Sequence, residues 1–367
     1  MSVFNGRKLR LEIYGGSHES VIGIKIEGLS KGTAIDREAL LTFMQRRAPG
    51  RDKFSTPRKE ADAVEFIEGV ENDTVTGEVV HAIIRSTNQR SKDYSQFSDT
   101  PRPAHADYVA NIKYGDTVNM AGGGPFSGRM TAPLCIMGGI AISILEKMGI
   151  TVGAHLYSVG NVKDTPFDKE NISKETLDII KTKPLPTLSD TAAEDMADLI
   201  TKCREEGDSI GCIIECAAVG IPIGIGGPIF DGIESELSAL LFSVPAVKGV
   251  EFGAGFESAH LKGSENNDPF VIRDGKITIE KNNSGGILGG ISSGMPIIFR
   301  AAIKPTPSIS KEQNTVSMIN MENTTLSIKG RHDPCIGKRA VPVIEAVCAI
   351  ALLDMLMDEN GDDLKWI

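Results

Sequence analysis

Histidine occurs in three short segments that lie far apart in this chain of 367 residues, and two of these segments also carry an arginine. The segments are GSH at 16–18, RPAHADY at 102–108 and RHDPC at 331–335. An imidazole can donate or accept a proton near neutral pH, and an arginine holds phosphate or carboxylate through paired donors. An enzyme that removes phosphate from a small carboxylic acid needs this combination. The three segments therefore predict an active site that handles anions.

Two of the six histidines are the strongest candidates for proton transfer. His18 follows Ser17 in a predicted turn, and His105 precedes Asp107, whose carboxylate could orient the ring. Three other histidines stand in strand patterns or alone, and a structural role is predicted for them: His81, His155 and His260.

Four arginines are the natural clamps for the anions: Arg47, Arg102, Arg129 and Arg331. Each of them could instead form a surface ion pair, which contributes little to stability. Glycine clusters at 122–124, 224–232 and 285–290 allow backbone N–H groups to face an anion, or else form tight turns.

One glycine-rich stretch imitates a nucleotide-binding loop. The sequence GGPFSGRM at 123–130 has the spacing of a P-loop, but it lacks the lysine and has Met130 where a hydroxyl is required. No GxGxxG motif follows a predicted strand. Neither ATP binding by this loop nor a Rossmann dinucleotide site is predicted.

The elements that must position these residues alternate irregularly between strands and helices. Strands are predicted at 22–28, 62–69, 78–84 and 209–219, and a hairpin at 269–279. Helices are predicted at 36–47, 131–148, 231–242 and 341–359, and within 185–206 with a start near 189–190. The helix at 131–148 is apolar nearly all round and should be buried, with Gly138 and Gly139 allowing a close neighbour. No linker divides the chain, so the pattern favours one α+β domain over 1–367. The strand and helix at 22–47 loosely resemble those at 210–243, which would indicate an internal duplication.

Composition excludes several classes of protein. A net charge of -10 and a pI near 5.2 argue against a nucleic-acid binder. The six cysteines form no CxxC pair, so neither a structural zinc site nor a disulfide framework is predicted. The N-terminus lacks a secretory pattern and no apolar run has membrane-spanning length, so a soluble cytoplasmic protein is expected.

Eight ordered blocks make the sequence resemble the chorismate synthase family. They are RRAPG (46–50), TNQRSKDYS (87–95), RPAHADYVANIKYG (102–115), GGG with SGRMTA (122–132), PAVKGVEFGAGF (245–256), NNSGGILGGISSGMPI (282–297), KPTPSI (304–309) and GRHDPCIGKRAVPVIEA (330–346). The resemblance implies a β-α-β sandwich fold and a homotetramer. It also implies conversion of 5-enolpyruvylshikimate 3-phosphate to chorismate and phosphate by anti-1,4-elimination, with reduced FMN as a cofactor that is not consumed.

The resemblance also assigns roles to residues. His18 and His105 match the family's two catalytic histidines, and Asp333 matches an aspartate that relays a proton from the flavin. The implied substrate-binding residues are Ser17, Arg47, Arg102, Arg129 and Arg331. The implied flavin contacts are Pro125, Phe126, Ser127, Pro245, Ala246, Gly289, Lys304, Pro305, Thr306, Pro307, Ser308 and Arg331. Arg47 and Lys53 match positions linked with NADPH, which is expected to act only indirectly, as the source of reductant.

Some positions depart from the family pattern. The signature Gly-Glu-Ser-His-Gly becomes GGSHE at 15–19, so Glu19 places a carboxylate near an anion site. Gly-Arg-Ser-Ser-Ala-Arg-Glu-Thr becomes GPFSGRMT at 124–131, where Phe126 either stacks on the flavin or, as slightly favoured, fills a gap in the core. These changes leave an alternative open, a paralogue that binds flavin or a phosphorylated acid without efficient elimination. The chain shows no reductase domain, so an external flavin reductase is expected.

Overall fold

The structure is a computed structural model that describes residues 2–50, 62–86, 97–328 and 333–360. Its strands are β1 (Ser2–Asn5), β2 (Arg10–Tyr14), β3 (Val21–Glu27), β4 (Val64–Glu68), β5 (Val70–Glu71), β6 (Thr74–Val75), β7 (Val80–Arg85), β8 (Thr151–Val159), β9 (Val162–Lys163), β10 (Cys212–Val219), β11 (Val247–Phe252), β12 (Phe270–Arg273), β13 (Lys276–Ile279), β14 (Ile287–Leu288), β15 (Ile291–Ser292), β16 (Ile297–Ile303), β17 (Gln313–Ser317) and β18 (Glu322–Leu326). Its α-helices are α1 (Arg37–Arg47), α2 (Asp107–Tyr114), α3 (Thr131–Lys147), α4 (Lys174–Thr182), α5 (Asp190–Glu205), α6 (Ile233–Ser243), α7 (Gly263–Asn266) and α8 (Gly337–Asn360).

Two antiparallel sheets enclose a layer of helices. The first sheet has the order β1-β2-β3-β7-β4 and the second the order β11-β16-β10-β8-β9. In β3, Ile22, Ile24 and Ile26 are fully buried because alternate side chains of a strand point to one face. Helix α3 packs on β3 and β7, and α8 packs on β8 and β10. The β-α-β sandwich and the α+β class are therefore confirmed.

The two central helices approach each other closely. A Cβ atom placed on Gly138 of α3 would lie 2.2 Å from Cβ of Ala346 of α8, so only glycine permits this spacing. Contrary to the expectation from the sequence, both helices are long and apolar enough to cross a membrane by length and composition, but they are mostly or entirely buried inside the protein. Their apolarity reflects their position in the core, where all sides of a helix contact protein.

The same topology occurs twice. The succession β2-β3-α1-β4-β7-α3 has its counterpart in β8-β10-α6-β11-β16-α8. In the sheets, the order β2-β3-β7-β4 corresponds strand by strand to β8-β10-β16-β11. The likeness between 22–47 and 210–243 thus compares equivalent strand-to-helix steps of two matching halves. The connection from β7 to α3 is equivalent to the connection from β16 to α8.

Most predicted elements have their expected places. Helix α1 begins after Asp36, whose side chain accepts a hydrogen bond of 2.9 Å from the Ala39 N–H. The predicted hairpin is formed by β12 and β13, with Asp274 at a φ of 52° and Gly275 at 74° between them. Helix α8 begins at Gly337, about one turn earlier than predicted, because Pro342 is tolerated within its first turns.

Candidate active site

The turn between β2 and β3 presents Ser17 and His18 to a glycine loop. The Ser17 N–H donates to the Gly124 carbonyl at 3.2 Å, and Ser17 is buried. Gly122 has a φ of 64°, and a Cβ there would lie only 2.0 Å from Nδ1 of His18. Any side chain at 122 would therefore displace the imidazole.

His105, which lies in the connection between β7 and α3, contacts the same glycine loop. A Cβ on Gly123 would lie 3.1 Å from Nε2 of His105, and Gly123 has a φ of 92°. His18 and His105 are thus packed against consecutive glycines, although they are far apart in the sequence. The fold brings the two imidazoles together.

Asp107 fixes the orientation of the His105 ring. Its carboxylate lies 2.7 Å from Nδ1 of His105 and accepts hydrogen bonds of 2.7 Å from both Nε and Nη2 of Arg102. Burial alone would raise the pKa of Asp107, but the hydrogen bonds from Arg102 and His105 outweigh it and hold that pKa far below its usual range. An ionised Asp107 favours the proton on Nδ1, so Nε2 is the nitrogen that faces the glycine loop.

The segment after β16 closes the site on this side. Lys304 donates from its backbone N–H to the Ala246 carbonyl at 2.9 Å and from Nζ to the Ala104 carbonyl at 2.7 Å. Both alanines have a left-handed backbone, with φ of 77° and 57°, a conformation that is strained for residues other than glycine and is enriched at functional sites. Arg102 also donates from Nη1 to Oγ of Ser308 at 3.3 Å. The two equivalent connections of the duplicated fold therefore meet at His105.

A second cluster lies behind the glycine loop. Asp62 accepts a hydrogen bond of 2.6 Å from Nη1 of Arg47 and a further one from Nη1 of Arg129. Arg47 also donates to Oγ1 of Thr131 at 3.2 Å and to the Gly128 carbonyl at 3.1 Å. Burial would raise the pKa of Asp62, but the two guanidinium groups lower it. Asp62 therefore stays ionised and holds both arginines.

Asp333 adjoins this cluster through Arg339. Nη1 of Arg339 donates to Asp333 at 2.6 Å, while its Nε donates to the Arg47 carbonyl at 3.1 Å. Asp333 is 9% exposed, so its carboxylate is held just below the surface by a fixed cation. The arrangement gathers His18, His105 and the arginines around one glycine loop, together with the ionised Asp107 and Asp62.

Comparison with known proteins identifies the family of this chain. The family model described as Chorismate synthase matches residues 9–357. The chain is 44% identical to the chorismate synthase of Lancefieldella parvula, over 97% of each protein, and 43% identical to that of Korarchaeum cryptofilum, over 96% of each. A crystal structure of chorismate synthase superposes with a TM-score of 0.76 at 25% identity, covering 97% of this chain and 94% of the other.

The chain belongs to the chorismate synthase family. It is accordingly an enzyme of the lyase class that forms chorismate in the shikimate pathway, which leads to aromatic amino acids.

Other residues that match family positions are placed less uniformly. Ser127 lies beside His105, since both approach the position a Cβ would take on Gly123. Phe126 is 37% exposed and tilts against Tyr114 with ring centroids 6.2 Å apart, so the slight preference for a core filler was wrong. Arg331 and Lys53 lie outside the described residues.

Gly289 is remote from the histidines within one chain. It lies in the hairpin of β14 and β15, whose Gly290 carbonyl adjoins Gly226, and Gly226 adjoins Met355 near the end of α8. Met355 is about 27 Å along α8 from Gly337, at 1.5 Å per residue. Asp333 precedes the opposite end of that helix. A role of Gly289 at the flavin therefore stays a prediction.

The structure explains locally why the family signature Gly-Glu-Ser-His-Gly can read GGSHE at 15–19 in this chain. The Glu19 side chain folds back so that its Oε1 would lie 3.2 Å from a Cβ on Gly16, the position where the family signature carries glutamate. The Glu19 N–H also donates to the Gly16 carbonyl at 3.1 Å. A carboxylate thus lies beside position 16 although the residue that carries it is three positions later.

Sequence analysis missed Asp62 and Arg339, and for Arg47 it predicted either a ligand-binding role or a surface ion pair. Arg47 is 2% exposed and all three of its guanidinium nitrogens donate within the protein, so in this structure it positions the site. Asp62 lies at the edge of the predicted strand 62–69, where nothing distinguishes it from a loop carboxylate. Its left-handed backbone, with a φ of 47°, is visible only in three dimensions.

The structure agrees with the structural roles predicted for two other histidines. His81 bonds to Tyr14, and His155 bonds to Asp164 and Glu215. His260 is exposed.

Proposed function

We propose that the chain converts 5-enolpyruvylshikimate 3-phosphate to chorismate and phosphate, with reduced FMN as cofactor. In this anti-1,4-elimination the C3–O bond breaks, phosphate leaves with the electron pair, and a hydrogen is lost from C6 as the second ring double bond forms. The observation that carries the proposal is the convergence of His18 and His105 on Gly122 and Gly123.

His18 has the position of a proton donor to the departing phosphate. It lies partly exposed beside the buried Ser17 hydroxyl, at a turn where the Gly122 backbone leaves room only for the ring. Protonation of a leaving oxygen by a placed imidazole contributes about a hundredfold to ten-thousandfold to the rate. Ser17, 3% exposed, can orient the same phosphate by hydrogen bonding.

His105 is a proton carrier of fixed direction. Asp107, itself held by Arg102, accepts from the Nδ1 side of the ring, so we assign proton exchange to Nε2, which faces the loop. Arg129 and Arg331 supply positive charge for the three anionic groups of the substrate. Stabilisation of developing charge by fixed cations is usually the largest single contribution to such catalysis.

The described residues fit a flavin on one side of His105. Lys304 and Ser308 bond directly to the segment that carries His105, and Ala246 is joined to that segment through Lys304. Ser127 lies beside His105 at Gly123. Exposed Phe126 offers an aromatic face at the same loop. When bound, reduced FMN supplies electron density as phosphate leaves and assists removal of the C6 hydrogen. Asp333, held by Arg339, is the residue of this chain that we assign to proton relay.

We also propose a homotetramer in the cytoplasm that receives reduced flavin from an external reductase, with NADPH acting only through that reductase. The support for assembly is a set of apolar side chains that a single chain leaves at least two thirds exposed: Ile112, Ile223, Ile229, Phe230, Phe256, Phe270, Ile272, Ile277, Ile319 and Met321. Exposed apolar area of this extent is typical of protein–protein contacts. Light scattering coupled to gel filtration tests the mass, and a monomer would contradict this part.

The test of the reaction is an anaerobic assay with dithionite-reduced FMN and 5-enolpyruvylshikimate 3-phosphate, in which chorismate is measured. His105→Ala is the control. Chorismate formation that exceeds the control supports the lyase, and its absence supports the alternative of a flavin-binding paralogue. Flavin titration separates the two further, because the lyase should bind oxidised FMN more tightly when substrate is present, whereas a mere flavin binder should be indifferent to it.

A further inference from the structure

A cavity of about 330 Å³ lies where the C-terminal ends of α1 and α4 meet the beginning of α8. It is lined by side chains that follow one another in three short stretches, around 42–48, 181–186 and 338–342. A volume of this size is at the lower end of the range for small-molecule sites. Neither His18, His105 nor the glycine loop at 122–124 contributes to its lining.

The lining is strongly basic. Its charged members are Arg46, Lys181, Lys183, Lys338 and Arg339. Within the part of the chain that the structure describes, no carboxylate lines this cavity, while Thr42 and Thr182 add neutral donors. In a protein with a net charge of -10, five cations around one concave surface are a distinct local feature.

The cations are held by partners outside the cavity. Arg46 pairs with the buried Glu345, Lys181 with Asp178 at 3.2 Å, and Lys183 with Asp190 at 2.8 Å. The exposed fractions of the three cationic side chains are only 17%, 17% and 22%. An ion-paired surface of this kind explains their order. Ion pairing does not explain why these three cationic side chains line the cavity while Glu345, Asp178 and Asp190, with which they pair, do not.

We propose that this cavity binds a small anion that carries a phosphate group. Three lysines offer ammonium donors, which suit phosphate oxygens. The two guanidinium groups add positive charge, although Arg46 already donates to Glu345 and Arg339 to Asp333. Half-buried cations are less screened by solvent than surface ones, so a phosphate here gains more than it would on an open face.

Arg339 connects this cavity with the catalytic cluster. The same guanidinium that lines the cavity donates to Asp333 at 2.6 Å and to the Arg47 carbonyl at 3.1 Å. A bound phosphate competes with Asp333 for these donors and therefore alters how that carboxylate is held. The binding itself is independent of the proposed function, whereas an effect on turnover rests on it.

The binding test uses inorganic phosphate and the full chain in isothermal titration calorimetry, with pyrophosphate in a second arm. Lys181→Gln combined with Lys183→Gln should weaken phosphate binding in the cavity by ~10-fold or more, since two charge-assisted hydrogen bonds are lost. Lys174→Gln is the matched control, because Lys174 is on α4 but outside the lining. Binding that is insensitive to the double substitution would overturn the proposal.

The active site could also bind phosphate, and an Arg102→Ala variant separates the two sites. Phosphate binding that persists in this variant and disappears after the lysine substitutions supports the cavity. Complete loss in Arg102→Ala, with no change in the lysine variant, assigns all binding to the active site and refutes the cavity.

A measurement on the unaltered chain removes the dependence on variants that fold. Amine labelling followed by mass spectrometry should show protection of Lys183 by phosphate and none at Lys174. In the chorismate assay, phosphate should slow turnover by an amount that Lys183→Gln reduces. A chain that makes no chorismate but protects Lys183 would disprove the proposed function and leave the binding site intact.

Discussion

His105 and Asp107 form a pair in which the carboxylate, 2.7 Å from Nδ1, determines which imidazole nitrogen faces the active-site loop. The two residues are neighbours at the beginning of α2, and Arg102 holds the same carboxylate from the other side through two side-chain hydrogen bonds. The ring is therefore oriented before any ligand binds. Orientation of a functional histidine by a carboxylate is worth about one to two orders of magnitude at metal sites, where the same geometry recurs.

We expect Asp107→Asn to lower kcat for chorismate formation by about 10- to 100-fold. An amide can accept from Nδ1–H or donate to Nδ1, so the ring loses its preferred tautomer, and Arg102 loses its counter-charge. Anaerobic kinetics with reduced FMN measures the effect. Asp195→Asn, at an exposed position of α5, serves as control. Unchanged kcat in Asp107→Asn would show that His105 needs no orientation.

The glycine loop gives a second prediction. Gly122→Ala should abolish most activity, because the new Cβ would lie 2.0 Å from Nδ1 of His18 and the φ of 64° disfavours alanine. Gly128→Ala, a little later in the same loop, is the matched control, since a Cβ there meets nothing within 4 Å. Steady-state rates of the two variants, with circular dichroism to verify folding, make the comparison. Equal activity would mean that the loop does not constrain His18.

Asp62 is expected to be more important for stability than any other single carboxylate of the site. Asp62→Asn leaves the buried Arg47 and Arg129 without a counter-charge and should lower the free energy of unfolding by about 3–5 kcal/mol. Urea unfolding measures this loss, with Asp198→Asn on the outer face of α5 as control.

The pH dependence of that loss follows from the lowered pKa of Asp62. A carboxyl group with a depressed folded-state pKa contributes stability above its unfolded pKa of about 3.9, and the contribution disappears as the pH falls through the folded-state value. The difference between wild type and Asp62→Asn should therefore be constant near neutral pH and shrink in acid. A difference that persists unchanged at low pH would exclude an electrostatic origin.

A buried histidine in the second sheet predicts the opposite dependence. His155 contacts Asp164 at 2.8 Å through Nδ1 and Glu215 at 3.0 Å through Nε2. Burial would lower the pKa of His155, but these two carboxylates outweigh it and raise the pKa. The stabilisation is thus complete below the unfolded pKa of about 6.5 and is lost as the pH rises through the folded-state value.

Urea unfolding of His155→Gln should accordingly show its largest deficit in mildly acidic solution and a smaller one at alkaline pH. The two carboxylates have lowered pKa values, so their share declines only in stronger acid. His260→Gln, at an exposed residue, should unfold like the wild type at all pH values. A deficit of His155→Gln that grows with pH would contradict a cationic His155.

Local patterns in the sequence were sufficient for the secondary structure that builds the core. Three features depend only on residues that are near neighbours in the sequence, so they can be identified without the fold. They are the alternation in β3 and β10, the Asp36 cap of α1, and the apolar side chains on all sides of α3. The close approach of a neighbour to α3 was also foreseeable, because a glycine such as Gly138 within a buried helix of bulky residues indicates a point where another backbone comes near. The assignment of His18 and His105 as candidate catalytic residues rested on ordered motifs.

Tertiary structure alone decided which of those motifs are in contact. His18 and His105 meet because the duplicated topology brings the β2–β3 turn beside the β7–α3 connection, and no local pattern contains that distance. The same holds for Asp62 between Arg47 and Arg129, and for the link from Asp333 through Arg339 to the Arg47 carbonyl. A sequence specifies its near-neighbour interactions directly, whereas charges and loops remote in the chain acquire their neighbours only when the two sheets close on the helices.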